Sequence, residues 1–218
     1  MGLEIRRLHL ARLGGLDGRE WPVHGFVVMH PKGCVLVDTG VGGPDKWLTD
    51  WRVVNRSAAE ALAEHDLAPG DIALVVNTHL HFDHCGQNAV FRHAPFYVQR
   101  RELERARREA RPLADWFDFA GARFELLDGD AEVLPGLRVV ATPGHTVGHQ
   151  SVVVDGDGEE LLVGDAAYTP ALYVDPDASE LPAGQAADRA AWAASLRRLH
   201  ASRPSHVHFC HHTRILHG

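Results

Sequence analysis

Four short apolar segments of this sequence each run directly into side chains that can bind a metal ion. IALVVN (72–77) precedes THLHFDH (78–84), and LRVVA (137–141) precedes TPGHTVGH (142–149). ELLV (160–163) precedes GDAAY (164–168), and SHVHF (205–209) precedes CHH (210–212). Short runs rich in Val, Leu and Ile are typical of strands, and loops that adjoin rigid strands commonly carry reactive groups. The repetition predicts one shared site where several strands end.

Length and composition indicate an ordinary globular protein. The chain has 218 residues, 45% of them apolar and 23% charged, which predicts a single domain over residues 1–218 with a full hydrophobic core. The start of the chain shows no signal-peptide pattern, and no segment is long enough to span a bilayer, so we expect a cytoplasmic enzyme or binding protein without a membrane partner.

Charge and cysteine content narrow the partners. The net charge of −7 argues against nucleic acid, because phosphate backbones are bound through clustered Lys and Arg. A small-molecule substrate fits better, and nothing in the pattern separates a monomer from a homodimer. Three scattered cysteines, Cys34, Cys85 and Cys210, predict free thiols in a reducing compartment.

The hydrophobic pattern predicts an α/β or α+β protein with sheet packed on sheet and helices outside. VVVDGDGEELLV reads as a hairpin that turns at residues 155–158, and Ser57 with Glu60 forms a capping-box signature. The candidate strands are 25–30, 34–37, 72–76, 95–98, 124–127, 137–141, 151–154, 160–163 and 205–209, and the candidate helices are 57–65, 101–111 and 187–201.

The histidine-rich cluster predicts a metal site. In an extended segment, side chains two positions apart share a face, so His79 and His81 can bind one ion. Asp83 and His84 are adjacent and are expected to diverge, which suits a second ion beside the first. Histidine nitrogen with some carboxylate oxygen and no thiolate suits Zn²⁺, while Mn²⁺, Fe²⁺ and Co²⁺ stay chemically open. The completing ligands would be His145 and His211, with Asp165 as a carboxylate able to bridge the two ions.

The same residues carry a resemblance to a known family. HLHFDH (79–84) has the H-x-H-x-D-H form of the metallo-β-lactamase superfamily, and VLVDTG (35–40), TPGHTVGHQS (142–151), VGDAAYT (163–169) and VHFCHH (207–212) follow in that family's order. The resemblance implies an αββα sandwich with the metal site at one edge of its two sheets. It implies that His79, His81 and His145 bind the first metal, that Asp83, His84 and His211 bind the second, and that Asp165 bridges them. His208 and His212 flank His211, but the family places its last ligand just after the strand, which favours His211.

Within that superfamily the sequence is most similar to the N-acyl-homoserine lactonase group. TPGHTVGHQS followed by DAAYT matches that group's pattern, in which Tyr168 would contact the substrate, and FYVQRRELERA (96–106) is also similar. The resemblance implies a dinuclear-metal-dependent hydrolase in which a metal-bridging hydroxide opens a lactone ring. Tyr168 would stabilise the oxyanion, and Asp83 has two candidate roles, ligand and proton shuttle. Cys210 and His212 depart from the glycine and aspartate that usually flank the final histidine.

Other functions on the same fold remain alternatives. Thioesterases similar to glyoxalase II share the motif but have longer chains, true β-lactamases lack the bridging aspartate, and nuclease relatives need a basic groove. An ester hydrolase of another kind, an iron-dependent oxidoreductase or dioxygenase, and a non-catalytic binder of signals also stay open. A binder would have no need for all seven ligands, so a lactonase-like metallohydrolase is favoured.

Several further residues receive a structural interpretation first. Asp38 is equally a turn residue or a support for the site, and His149 is expected to be structural. Trp47 and Trp51 are four positions apart and could line a pocket for an acyl chain, but a core or interface stripe is the favoured interpretation. Residues 101–111, rich in Arg and Glu, are expected to form a solvated helix face. Loops at 41–56 and 170–186 are expected to set the volume of the substrate pocket.

Overall fold

The computed structural model describes residues 2–14, 18–109 and 115–218. These residues form two β-sheets, and helices connect some of the strands along the chain. The strands are β1 (Glu4–Gly14), β2 (Glu20–Met29), β3 (Cys34–Val37), β4 (Val54–Asn55), β5 (Ile72–Val76), β6 (Phe96–Gln99), β7 (Phe124–Leu127), β8 (Ala131–Leu134), β9 (Leu137–Ala141), β10 (Gln150–Gly156), β11 (Gly158–Leu162), β12 (His206–His208) and β13 (Leu216–His217). The helices are α1 (Asp45–Asp50), α2 (Ala58–Ala63), α3 (Phe82–Cys85), α4 (Arg100–Glu109), α5 (Pro170–Val174) and α6 (Arg189–Ser202), and short 3₁₀ turns lie at Pro69–Asp71, Asn88–Phe91 and Gly164–Ala166.

Both sheets are mixed. The first has the strand order β4-β1-β2-β3-β5-β6-β7, in which β3, β5, β6 and β7 are parallel neighbours. The second has the order β13-β12-β11-β10-β9-β8, in which only β11 and β12 pair in parallel. Because β9, β10 and β11 alternate in direction, β9, β11 and β12 end at the same edge of the second sheet.

The alternation of side chains along the strands builds three apolar layers. On β10, Val152 and Val154 face the first sheet, whereas Val153 packs with Trp192 of α6. On β3, Val35 and Val37 face the second sheet, and Leu36 packs on the opposite side with α2. Helices therefore cover the outer face of each sheet. The predicted two-sheet sandwich with outer helices is confirmed.

The predicted strands are all found, but the accuracy of their ends differs. β3, β5, β7 and β9 have the predicted bounds, and the other predicted strands are found with shifted ends. The hairpin is confirmed, but its strands continue to a Gly156–Gly158 pair, so the turn is tighter than predicted. The capping box is also confirmed: the Glu60 backbone N–H donates to Ser57 Oγ at 3.2 Å, and the Ser57 N–H donates to Glu60 Oε2 at 3.1 Å.

Some elements were not predicted. β1 pairs with β2 along nearly its whole length, yet its sequence EIRRLHLARLG places charged residues between apolar ones, with Leu8 and Leu10 buried and a register shift after His9. β4, β8, β13, α1, α3 and α5 are short and were also missed. Helix α4 ends at Glu109, and the last two residues of the predicted helix 101–111 lie outside the described residues.

Among the described residues there is no helix with the length and hydropathy needed to cross a bilayer.

Candidate metal centre

Seven metal-capable side chains meet at one edge of the sandwich. His79, His81, Asp83 and His84 follow β5 of the first sheet, and His145 follows β9 of the second. Asp165 lies in the 3₁₀ turn after β11, and His211 comes three residues after β12. The sequence thus delivers ligands from both sheets to a common point, because strand ends of the two packed sheets meet at this edge.

Three histidine nitrogens form the first cluster, which we call the three-histidine group (His79, His81 and His145). His79 Nε2 lies 3.0 Å from His81 Nδ1, and His145 Nε2 lies 3.2 Å from His79 Nε2 and 3.0 Å from His81 Nδ1. Nitrogens bound to one tetrahedral zinc at about 2.0–2.1 Å are roughly 3.3 Å apart. The spacing of the three nitrogens is close to what a common metal ion requires.

Asp165 lies between this group and a second one, formed by Asp83, His84 and His211. Its Oδ2 is 3.3 Å from His145 Nε2, and its Oδ1 is 3.3 Å from His84 Nε2 and 3.2 Å from His211 Nε2. Asp83 Oδ2 lies 3.7 Å from His84 Nε2 and 3.6 Å from His211 Nε2. One carboxylate oxygen therefore faces each group, which is the geometry of a bridging ligand.

Hydrogen bonds behind the rings orient three of the histidines. His145 Nδ1 lies 3.2 Å from the Gln185 carbonyl oxygen, and His211 Nδ1 lies 2.9 Å from the Pro22 carbonyl oxygen. Because a carbonyl oxygen only accepts, each Nδ1 carries the hydrogen, and in the neutral ring Nε2 presents its lone pair to the centre. His84 Nδ1 donates in the same way to Asp38 Oδ2 at 2.7 Å.

Asp38 supports the second group through both of its oxygens. It accepts from the Thr78 backbone N–H at 2.8 Å and from Thr78 Oγ1 at 2.7 Å, in addition to His84. Its backbone has a φ of 60°, a left-handed conformation that aspartate tolerates in turns. Asp38 is thus both the turn residue and the support that the sequence left open.

His149 and Gln185 hold the bridging aspartate from its backbone. The Asp165 N–H donates to His149 Nε2 at 2.9 Å, and Gln185 Nε2 donates to the Asp165 carbonyl oxygen at 2.8 Å. Burial lowers the pKa of His149 to about 3, so its ring is neutral and Nε2 can accept. His149 therefore has the structural role expected of it, which is to hold the backbone of Asp165.

The pKa values differ between the two groups. Burial lowers the pKa of His79 and His81 well below the usual value and lowers that of His145 as well, so the three-histidine group is neutral. Burial also opposes a charge on His84 and His211, but the carboxylates of Asp165 and Asp83 outweigh it and raise both pKa values. Burial favours the protonated form of Asp165, yet His84 and His211 lower its pKa well below the usual range.

The donor set fits divalent metal ions. Within the described ranges, the buried atoms His84 Nε2 and Asp165 Oδ1 have no hydrogen-bond partner, although both point into the centre. Such atoms are costly to bury unless another group satisfies them. Imidazole and carboxylate are the ligands that zinc and other first-row divalent metals take, and no thiolate belongs to the two groups.

The structure separates His211 from its neighbours. His208 Nε2 pairs with Glu160 Oε2 at 2.8 Å on β12, and His212 Nδ1 accepts from the Arg214 N–H at 3.0 Å. Only His211 of the three reaches the centre. The nearby thiol of Cys210 lies 4.0 Å from Asp38 Oδ2, behind the second group.

The expectation that Asp83 and His84 diverge was wrong. Residues 82–85 form the helical turn α3, with His81 as its N-cap. The side chains of Asp83 and His84 therefore come together in the same ligand group, with His211. Extended geometry holds only up to His81, so the divergence of neighbours on a strand does not apply here.

A cavity of about 870 Å³ opens onto the centre. Its wall includes Asp83 and Tyr168, and the Tyr168 ring lies 5.2 Å from the ring of His211. Trp47 and Trp51 both line the cavity, which was the second interpretation, and Trp51 also packs against the apolar cluster that contains Leu36, so the core interpretation is confirmed for Trp51 in part. The loops expected to shape the pocket do contribute, since residues 47, 51, 172 and 180–184 lie in its wall. The aromatic side chains of the wall are Trp21, Trp47, Trp51, Phe82, Trp116, Phe117 and Tyr168.

Helix α4 confirms one expectation only in part. Arg101, Glu104 and Arg108 are exposed, as predicted for a solvated face. On the opposite face, Glu102 is fully buried and Arg105 lines the cavity. The sequence carries a signal that was overlooked: Glu102, Arg105 and Ala106 share a helix face by their spacing of three and four. The charges on that face concealed that it is the inner one.

The sequence of this chain matches one family model and several curated proteins. The model of the metallo-beta-lactamase superfamily matches residues 18–211. A curated N-acyl homoserine lactonase of a Bacillus species is 33% identical over 167 residues, which are 69% of this chain and 66% of that relative. The N-acyl homoserine lactonase AttM of Azorhizobium caulinodans is 30% identical over 197 residues, covering 75% of this chain and 72% of the relative. The chain therefore spans roughly two thirds of the length of these relatives.

Solved structures agree in fold. AiiA from B. thuringiensis, with N-decanoyl-L-homoserine bound at its active site, superposes with a TM-score of 0.80 at 23% identity, over 97% of this chain and 94% of that one. An N-acyl homoserine lactone hydrolase with the product N-hexanoyl-L-homoserine at its catalytic metal centre superposes with a TM-score of 0.78 at 25% identity, over 96% and 92%.

Proposed function

The chain belongs to the metallo-β-lactamase superfamily, and from that premise we propose that it hydrolyses the lactone ring of N-acyl-homoserine lactones. The observation that carries the proposal is Asp165, a buried carboxylate with one oxygen facing each ligand group on the floor of a largely apolar cavity. The curated lactonases it resembles support the substrate class.

The proposed cofactors are two Zn²⁺ ions. His79, His81 and His145 would hold one, Asp83, His84 and His211 would hold the other, and Asp165 would contact both. When bound, two such ions supply a water activated near neutral pH and a Lewis acid for the substrate carbonyl. The neutral state of the three-histidine group suits it as a ligand set, because imidazole binds metal in its neutral form.

Tyr168 is proposed to donate a hydrogen bond to the oxyanion that forms on the lactone carbonyl. Burial and the nearby carboxylates of Asp165 and Asp83 raise the pKa of its phenol well above the usual value, so the hydroxyl stays protonated and can donate. Its ring lies 5.8 Å from that of His145 and 5.2 Å from that of His211, between the two groups. A donor at this place acts where charge develops.

Asp83 is proposed, in addition to being a ligand, to accept a proton from the attacking water and pass it to the leaving ring oxygen. Asp83 lies in the cavity wall, and 11% of its side chain is exposed. The side chains of His84, His211 and Asp165 are less exposed. We expect Asp83→Asn to lose most turnover. Bound metal is counted in the same sample, and near-normal activity with both metals present would remove the proton-transfer role.

The apolar wall suits the acyl chain. Trp47 packs edge-to-face on Phe82 and Trp116, and the three rings form an aromatic surface in the cavity wall. Burying a methylene group is worth about 0.8 kcal/mol. The cavity therefore favours a lactone that carries an apolar chain over the bare ring.

The test is proton release when the zinc-loaded protein meets N-acyl-homoserine lactones of short and long chain. Ring opening forms an acid, so a pH indicator follows it without a modified substrate. We expect rapid release that a chelator abolishes and that Asp165→Asn nearly abolishes. Absence of release from every lactone, with two metals bound, would reject the lactone as substrate. An ester and a thioester assayed alongside would then identify a different hydrolase, and a single redox-active iron in the native protein would indicate the alternative redox chemistry.

A further inference from the structure

Glu102 is a fully buried carboxylate that lies between the two loops of the three-histidine group. It belongs to α4, a helix that contributes no ligand. We propose that Glu102 is a positioning residue that fixes these loops relative to one another and so sets the metal affinity of the three-histidine group. The inference rests on the metal site of the proposed function but not on the substrate.

One carboxylate oxygen holds the loop after β5. Glu102 Oε1 accepts from the Leu80 backbone N–H at 2.9 Å. Leu80 stands between His79 and His81, so this bond fixes the peptide that spaces the two ligands.

The other oxygen holds the loop after β9. Glu102 Oε2 accepts from Thr146 Oγ1 at 2.7 Å and from the Gly148 N–H at 3.3 Å. Thr146 directly follows His145. The backbone of α4 approaches this loop so closely that a Cβ on Gly148 would lie 2.3 Å from the Glu102 nitrogen.

Arg105 makes the buried carboxylate tolerable. Its guanidinium lies 2.5 Å from Glu102 Oε1 and has a side-chain exposure of 12%. A buried carboxylate without a cation would be strongly destabilising. Arg105 also pairs with Glu109 and lines the cavity, so the pair joins the ligand loops to the cavity wall.

The need for a carboxylate follows from this division of contacts. The two loops come from different sheets, and each presents N–H or O–H donors to a separate oxygen of Glu102. A glutamine at this position would offer one oxygen and would turn an NH₂ group towards donors on the other side. Groups that orient metal ligands from behind typically change metal affinity 10–100-fold when mutated.

The experiment measures zinc affinity of the metal-free protein by competition with a chromophoric chelator, together with the visible spectrum of the Co²⁺ form. Three variants are compared with the wild type: Glu102→Gln, the milder Thr146→Ala, which removes one bond to Glu102 Oε2, and Glu104→Gln. Glu104 is exposed on the same helix, so its change is a matched loss of one negative charge. We expect Glu102→Gln to weaken the tighter zinc site at least tenfold and shift the Co²⁺ spectrum, Thr146→Ala to do so less, and Glu104→Gln to match the wild type.

The outcomes separate the inference from the proposed function. A wild type that binds no zinc overturns both. Wild-type zinc binding with unchanged affinity and spectrum in folded Glu102→Gln overturns the positioning role alone, even if its melting temperature falls. If Glu102→Gln does not fold, Thr146→Ala decides: reduced zinc affinity supports the role, and wild-type affinity rejects it.

Discussion

At the scale of single residues, the hydroxyl of Tyr168 can be tested apart from metal binding. Tyr168→Phe keeps the ring against His211 and removes only the donor. Loss of one oxyanion donor costs about 3 kcal/mol, so we expect kcat to fall roughly 100-fold. Bound metal, measured by elemental analysis, should stay at the wild-type level.

A matched control exists on α5. Tyr173 is buried beside Phe209 and His200, and in the part of the chain that the structure describes its hydroxyl has no hydrogen-bond partner. Tyr173→Phe should therefore leave kcat unchanged. An unchanged rate in Tyr168→Phe as well would contradict the oxyanion role and leave Tyr168 with a packing role only.

His24 on β2 predicts a loss of stability in acid that does not depend on the metal site. Burial lowers its pKa to about 4, while the unfolded chain has an ordinary histidine pKa of about 6.5. Below pH 6.5 the unfolded state binds the proton and the folded state does not, so stability falls as pH drops and the effect levels off near pH 4. Between pH 7 and pH 5 this contribution is about 2 kcal/mol.

Denaturant unfolding of metal-free protein at pH 7 and pH 5 measures the effect. His24→Gln should make the loss of stability between pH 7 and pH 5 smaller than in the wild type by about 2 kcal/mol, whereas His93→Gln, at an exposed position, should keep the wild-type pH dependence. Equal pH dependence in all three proteins would contradict the assignment to His24.

At the scale of elements, the loops of the site depend on two backbones in direct contact. Gly86 follows α3, and its N–H donates to the Gly40 carbonyl oxygen at 2.8 Å. A Cβ on Gly86 would lie 1.9 Å from the Gly42 nitrogen, a contact that no side-chain rotation relieves. The glycine is thus required for the loop after β3 to meet the helical turn that carries Asp83 and His84.

Gly86→Ala is therefore expected to destabilise the protein by at least about 2 kcal/mol and to lower metal occupancy. Gly70→Ala is the control, because its Cβ would meet no atom within 4 Å and its φ is not in the left-handed region. Denaturant midpoints and metal content of the two variants measure the difference. A stable, fully loaded Gly86→Ala would show that the two loops can separate without cost.

Prediction of elements from the sequence succeeded where one pattern dominated. β3 and β5 lie inside the sheet, are buried at most positions and read as continuous apolar runs, so their bounds were predicted. β1 was missed because its exposed positions carry arginine and its register shifts at His9, which breaks the alternation.

For the metal centre, the sequence predicted the candidate ligands but not the residues that support them. All seven candidate ligands meet at the centre, and each belongs to one of four short segments that follow predicted strands, so the sequence could indicate them. Their supports could not be predicted in the same way: His145 and His211 bond to backbone carbonyls of Gln185 and Pro22, which any residue could supply. Glu102 bonds across two loops that only the packing of the sheets brings together.

At the scale of the whole molecule, we propose that the chain is one domain that unfolds as a unit. The layer between the sheets contains Phe26 and Val37 of the first sheet and Val139 and Val152 of the second, all buried in one cluster. Neither sheet can keep this surface from water without the other. Unfolding followed by far- and near-ultraviolet circular dichroism should therefore give a single coincident transition.

The metal centre adds a second connection between the sheets, since His79 and His84 come from the first and His145, Asp165 and His211 from the second. An ion that binds only the folded chain adds about 4 kcal/mol when its free concentration is 1,000 times its Kd. For a chain of this size we expect the melting temperature to fall roughly 10 °C on chelation and to return with zinc.

Asp165→Asn should show a much smaller difference in melting temperature between the zinc-loaded and chelated forms, because the weakened acceptor at position 165 faces both groups. A melting temperature that zinc leaves unchanged in the wild type would contradict a metal that binds ligands from both sheets. Two separate transitions in the chelated protein would instead show that the metal, and not the shared apolar layer, unites the sheets.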